Sequence, residues 1–176
     1  IMPDAKLIHI VRDGRDAACS MLPGIGADEW RHLKPANWQQ LMREYEGIER
    51  CAMAWETIIQ IALRDLEGTA HLQVHYEELV QNPKAVAARI MDYLDMPMTA
   101  EVENFCTQIQ DDTAGSYQAN KQEKWFRPNH KVRIGRWREN ISPEDLVQVE
   151  AIMGTTLEEL GYDLANAETV SSQTAQ

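Results

Sequence analysis

Two short β-branched runs, each followed by a helical pattern, constrain this chain more than any other feature. The first, Lys6-Leu-Ile-His-Ile-Val-Arg12, carries charge only at its ends, the pattern of a strand buried on both faces of a parallel sheet. Asp13-Gly14-Arg15-Asp16 reads as a turn, and Ala17 to Leu22 as a short helix stopped by Pro23-Gly24. The second run spans His71 to Tyr76. After it, Asn82-Pro83 offers an N-cap and first-turn proline to a helix carrying Val86, Ile90, Tyr93 and Leu94. Between the runs, apolar residues recur at 38, 41, 42, 45, 48, 52, 55, 59, 62 and 66. That spacing predicts one long amphipathic helix over 38–66, capped by Asn37 and stopped by Gly68. Alternating strands and helices predict an α/β fold with a parallel sheet. Two strands are few for such a sheet, and the chain opens on Ile1 almost inside the first of them. An N-terminal strand is therefore expected in sequence upstream.

Two further helices are expected. One starts at Thr99 with Val102, Phe105 and Ile109 on one face. The other starts at Ser142-Pro143-Glu144-Asp145 and carries Leu146, Val149, Met153, Leu157 and Leu160 up to Gly161. Residues 23–37, with Trp30, read as a surface loop. After Asp163 the tail has nothing to bury, so one ordered domain over 1–163 and a disordered tail over 164–176 are expected.

Composition narrows the classes of function. The chain is 44% hydrophobic and 26% charged, ordinary for a soluble globular domain. No apolar run approaches the roughly 18 residues of a membrane span, and without a charged n-region followed by an apolar stretch no signal peptide is expected. A net charge of −11 argues against nucleic acid as a partner. Cys19, Cys51 and Cys106 are too few and scattered for a disulfide framework or a zinc site. They read as reduced, partly buried thiols of a cytoplasmic protein.

Against that negative total, residues 121–138 stand out. Lys121, Lys124, Arg127, Lys131, Arg133, Arg136 and Arg138 face the single acid Glu123, with Trp125, Phe126 and Trp137 interleaved. A solvated basic loop paired with acidic helices is the plain reading. An anion site, where guanidinium forks meet phosphate oxygens beside a stacking ring, is the sharper one. The turn after the first strand offers a second half. Ligands of open α/β sheets sit beyond the carboxyl ends of strands, where Arg12 lies, and the next helix start could add backbone N–H groups. Ser20 shares a helix face with Asp16, and Arg12 paired with Asp16 would be an ordinary structural bridge.

Three segments together carry a resemblance. Ile10-Val-Arg12-Asp-Gly-Arg-Asp-Ala-Ala-Cys-Ser20, then His75-Tyr-Glu-Glu-Leu-Val-Gln-Asn-Pro83, then Arg133-Ile-Gly-Arg-Trp-Arg138 before Ile141-Ser-Pro-Glu-Asp145 resemble the sulfotransferases that use 3′-phosphoadenosine 5′-phosphosulfate, especially bacterial members. The segments fall in the family's order and span residues 3–162. The resemblance implies a P-loop-NTPase-like parallel sheet flanked by helices, here with the N-terminal strand and P-loop missing. It assigns Arg12 and Ser20 to the donor's 3′-phosphate and Tyr76 to the adenine-nucleoside part. The family's Arg-Lys-Gly triplet falls on His130, Lys131 and Val132, so only Lys131 carries over. Arg133 and Arg136 are candidates to replace the lost arginine.

No Pro-x-Ser-Gly-Thr loop for the 5′-phosphosulfate is present, and none of the six lysines is followed by Ser or Thr as a Walker A loop requires. His9 reads as a satisfied strand histidine, and no catalytic residue is assigned. The implied reaction is sulfuryl transfer to a hydroxyl or amine of a small-molecule or carbohydrate acceptor, without a metal. Two rival readings remain. One is a phosphotransferase of the P-loop class. The other is a non-catalytic nucleotide-binding or interaction module whose 38–66 helix forms an interface, for instance in a homodimer.

Overall fold

In a computed structural model of the chain, which describes residues 5–27, 34–110 and 131–165, both expected strands form. The elements run β1 (Leu7–Val11), α1 (Gly14–Met21), α2 (Trp38–Glu44), α3 (Gly47–Leu66) and β2 (His71–His75). They continue with α4 (Tyr76–Gln81), α5 (Pro83–Tyr93), α6 (Ala100–Gln110), α7 (Trp137–Asn140) and α8 (Pro143–Glu159). Short 3-10 turns lie at Ile25–Ala27 and Lys131–Arg133. The chain divides into two units, residues 1–12 with 68–134 and residues 13–67 with 135–176.

In the first unit β1 and β2 pair in parallel, in register from Leu7↔His71 to Val11↔His75. This mixed α/β arrangement, a small parallel sheet with helices, is what the alternating pattern predicts. The expected burial of β1 on both faces does not hold: Val11 is buried, but Leu7 is exposed and Ile10 is 53% exposed. Within the unit α4 and α5 pack on β2. A β-branched run specifies a strand without specifying how many layers cover it. α6 forms as expected, yet Phe105 is 53% exposed while Cys106 is buried against the Pro83 carbonyl. Val102 and Ile109 are half-buried as expected, and Cys106 takes the place expected of Phe105 on that face. Lys6 ties the start of β1 to the end of α5, donating to the Tyr93 carbonyl at 2.8 Å and pairing with Asp95.

The second unit gathers α1, α2, α3, α7 and α8. The single helix expected over 38–66 is two. Tyr45 and Glu46 are extended and Gly47 takes φ +52°, so α2 stops at Glu44 and α3 begins at Gly47. Arg50 makes the break affordable: its buried guanidinium donates to the carbonyls of Tyr45 (2.6 Å), Ile25 (3.1 Å) and Met42 (3.3 Å). The Met42 and Tyr45 oxygens lie at the end of α2, where carbonyls have no intrahelical partner. Ile25, expected in a surface loop, is buried with Ala18, Leu41, Cys51 and Ala54. α8 forms as expected: the Ser142 hydroxyl accepts from the Asp145 N–H at 3.1 Å, and Leu146, Val149, Met153, Leu157 and Leu160 are all buried. Thr156 on α8 donates to Glu56 of α3 and accepts from Gln60, both at 2.7 Å.

None of the three cysteines is in a disulfide, and all three are buried. Burial pushes the Cys51 thiol up to about 11, against the pull of the Gly26 amide and of Arg50. The unfolded thiol ionises first. Its contribution to stability is therefore intact below about pH 9 and lost as pH rises to about 11. Between pH 8 and 11, urea unfolding should show the wild type losing about 2–3 kcal/mol more than Cys51→Ala. An equal loss in both proteins would refute the shift.

Trp30, the basic residues 121–130 and the tail over 166–176 lie outside the described residues. Among those described, no helix is long and apolar enough to cross a membrane.

Candidate functional site

In the first unit, the parallel register builds half of the candidate site. Val11 pairs with His75, and both strands end there. The next residues after the two strands are Arg12 and Tyr76, and the Arg12 guanidinium lies 4.9 Å from the centre of the Tyr76 ring. Its Nη2 also donates to the Arg133 carbonyl at 3.1 Å, 121 positions away in sequence. Arg133 and Lys131 belong to the same 3-10 turn, which packs on α4; Arg133 is half-buried and Lys131 exposed. Arg12, Tyr76, Lys131 and Arg133 are thus four of the five expected site residues, and one unit holds them all. A guanidinium over an aromatic face, with a basic turn at its side, suits an anionic nucleotide.

The fifth, Ser20, lies in the second unit on α1, where its hydroxyl donates to the Asp16 carbonyl at 3.0 Å. The segment expected as a turn is the N-cap and first turn of this helix. Asp13 caps it, accepting from the Arg15 N–H at 2.9 Å. The helix start expected to offer its N–H groups to an anion therefore already holds a carboxylate. Asp13 also takes the Arg15 guanidinium in a fork, Nε at 3.0 Å and Nη2 at 2.9 Å, while Nη1 reaches Glu150 at 2.7 Å. Burial opposes that charge, but the hydrogen bonds and charges of Asp13 and Glu150 outweigh it and hold Arg15 above its ordinary pKa. The same Glu150 oxygen accepts the Ala165 N–H at 2.9 Å.

Asp16 is 0% exposed, and its carboxylate accepts the backbone N–H groups of Gly135 (2.6 Å) and Trp137 (3.0 Å). Gly135 has φ +71°, which a side chain would resist. The sequence reading placed Asp16 only as a structural partner for Arg12 and missed Glu150. The Gly-x-Trp spacing was the available signal, because a left-handed glycine ahead of a right-handed residue turns nearby N–H groups toward one anion.

His9 departs from its expected role as a satisfied histidine. Its Nδ1 is buried with no hydrogen-bond partner among the described residues, and its ring meets His71 edge-on at 6.3 Å. Burial, and then His71, hold its pKa below the usual value. Among the described residues, no group of three or more His, Cys, Asp or Glu is placed to hold a metal.

Comparison with known proteins adds an independent finding. A model of the Sulfotransferase family matches residues 1–101. Protein-tyrosine sulfotransferase A of Caenorhabditis elegans is 26% identical over 166 residues, covering 93% of this chain and 40% of that protein. Carbohydrate sulfotransferase 2 of Homo sapiens is 26% identical over 194 residues, covering 93% and 36%. The protein-tyrosine sulfotransferase of Drosophila melanogaster is 24% identical over 169 residues, covering 93% and 31%. The chain spans less than half the length of each of these relatives.

Proposed function

This chain belongs to the sulfotransferase family, and on that premise we propose that it supplies the 3′-phosphonucleotide half of an enzyme using 3′-phosphoadenosine 5′-phosphosulfate. When bound, that donor supplies the sulfuryl group passed to an acceptor. The observation that carries the reading is the meeting of Arg12, Tyr76 and the Lys131–Arg133 turn in one unit. Arg12 and Lys131 are assigned to the 3′-phosphate and Tyr76 to the nucleoside, with Arg133 supporting the same charge. Ser20 is assigned to the phosphate by the sequence resemblance. The fold reading that goes with this is a P-loop-like sheet of which these two strands are part. The 5′ end of the donor is left to sequence outside these residues, since no 5′-phosphosulfate loop occurs within them. The relatives are named for tyrosine and for carbohydrate. Both present a hydroxyl, which favours an oxygen acceptor over an amine.

The test is calorimetric titration of the full-length protein with adenosine 3′,5′-bisphosphate and with ADP. A charge-assisted contact contributes about 1.5–3 kcal/mol, so Arg12→Ala should weaken the bisphosphate about 10- to 100-fold and ADP by less than about threefold. Ser20→Ala should act in the same direction with a smaller loss. Equal losses for both nucleotides would overturn the reading.

A further inference from the structure

Within the first unit, one face of the two-stranded sheet carries histidines on both strands. The register sets His9 opposite Gln73, so Leu7, His9 and Val11 share a face with His71, Gln73 and His75. His9 and His71 stand diagonally on that face, one on each strand. Their ring centres are 6.3 Å apart, with the planes at 63°.

The two imidazoles are prepared for a ligand in different ways. His71 Nδ1 lies 2.8 Å from the Thr69 carbonyl oxygen. A carbonyl oxygen only accepts, so in the neutral ring Nδ1 carries the proton and Nε2 keeps a free lone pair. Metal-ligating histidines are commonly held in this manner, with a backbone carbonyl on the second nitrogen. His9 Nδ1 is buried with no hydrogen-bond partner among the described residues, a cost that a group bound to it would remove. Burial, and then His71, keep His9 below its ordinary pKa, so the neutral ring predominates at pH 7. Two neutral imidazoles side by side are donors suited to a borderline-soft cation.

We propose that His9 and His71 together bind one divalent late first-row transition ion, such as zinc, as a structural clip between β1 and β2. Two rings that share an ion through nitrogens about 2.0–2.1 Å from it have centres about 5–6.5 Å apart. The observed 6.3 Å lies in that range. No third His, Cys, Asp or Glu joins the pair among the described residues. Water therefore fills the remaining positions, and the affinity rests on the two imidazoles. The ion joins strands far apart in sequence, where a clip that closes a long loop stabilises most. They are the strands whose carboxyl ends lead into Arg12 and Tyr76. The ion takes no part in group transfer, so the inference stands apart from the sulfotransferase reading.

The experiment titrates zinc chloride calorimetrically into the untagged full-length protein, first stripped with a chelator, and into His9→Gln, His71→Gln and His75→Gln. Wild type should bind zinc and gain about 2–5 °C in melting temperature at about ten times the dissociation constant. His9→Gln and His71→Gln should each bind at least about 10-fold more weakly and lose that gain, since even the outer partners of ligating histidines are worth about 10- to 100-fold. His75 lies about 13 Å along β2 from His71, so His75→Gln should stay within about twofold of wild type. Copper(II) paramagnetic resonance on wild type reads the same assignment without any substitution, and should show two imidazole nitrogens on the ion. Three results would overturn the proposal. They are a wild type that binds no zinc, undiminished binding in His9→Gln or His71→Gln (or a loss as large in His75→Gln), and a copper spectrum with a single imidazole. Each leaves the nucleotide assignment standing, because that assignment rests on Arg12, Tyr76 and the Lys131–Arg133 turn.

Discussion

Arg15→Ala should lower the unfolding free energy by about 3–5 kcal/mol, the range for removing one partner of a buried, fully paired charge. Arg15 is 2% exposed, and its fork is filled by Asp13 on one side and Glu150 on the other. The variant leaves two carboxylates facing a cavity without their cation, and the contact of the guanidinium carbon with the Trp137 ring, 4.1 Å from its centre, is lost as well. Arg15→Lys keeps the charge but neither the fork nor the stacking, so it should recover only part of the loss. Urea unfolding of both variants reads the two losses. An Arg15→Lys protein as stable as wild type would mean that charge alone, without the fork or the ring contact, accounts for the effect.

What could be read from the sequence divides along the same line between local and distant causes. Both strands, their parallel pairing, and α8 with its Ser142 cap are written in neighbouring residues, and they form where expected. The break between α2 and α3 was invisible because the apolar spacing runs through Tyr45 without interruption. Its cause is a side chain five residues on, where Arg50 takes up the carbonyls of the broken turn. Phe105 looked like a core residue by spacing, yet the buried neighbour on α6 is Cys106. The candidate site shows the same division. The motif segments named Arg12, Tyr76 and Arg133, but only the register from Leu7↔His71 to Val11↔His75 brings Arg12 and Tyr76 together. The role of Asp16 had no signal in neighbouring residues: its partners are amides 119 and 121 positions away, marked only by the Gly-x-Trp spacing.

Gly14 teaches the same lesson through a substitution with an expected sign. In Asp13-Gly14-Arg15-Asp16 it reads as a turn glycine, chosen for backbone freedom, but it is the first residue of α1 and does not take a positive φ. What it provides is room: a Cβ there would lie 2.6 Å from Met153 Sδ and 2.8 Å from Trp55 Cδ2 and Cε3. Met153 and the Trp55 ring are both buried, so neither side chain can simply swing into solvent. Gly14→Ala should destabilise by about 1–3 kcal/mol through overpacking, even though alanine is the better helix former. Adding Met153→Ala opens the space the methyl needs. The double variant should therefore be more stable than the two single losses predict, by about 1 kcal/mol. Gly154, inside α8, is the internal control. Among the described residues its Cβ would meet only Leu164, at 3.4 Å, an ordinary contact. Gly154→Ala should be neutral or stabilising by up to about 1 kcal/mol, because there the helix preference acts unopposed. The same substitution at two helical glycines of one unit is thus expected to have opposite signs, read directly from thermal or urea unfolding. A Gly14→Ala protein as stable as wild type would mean that α1 does not approach Trp55 and Met153 as closely as described.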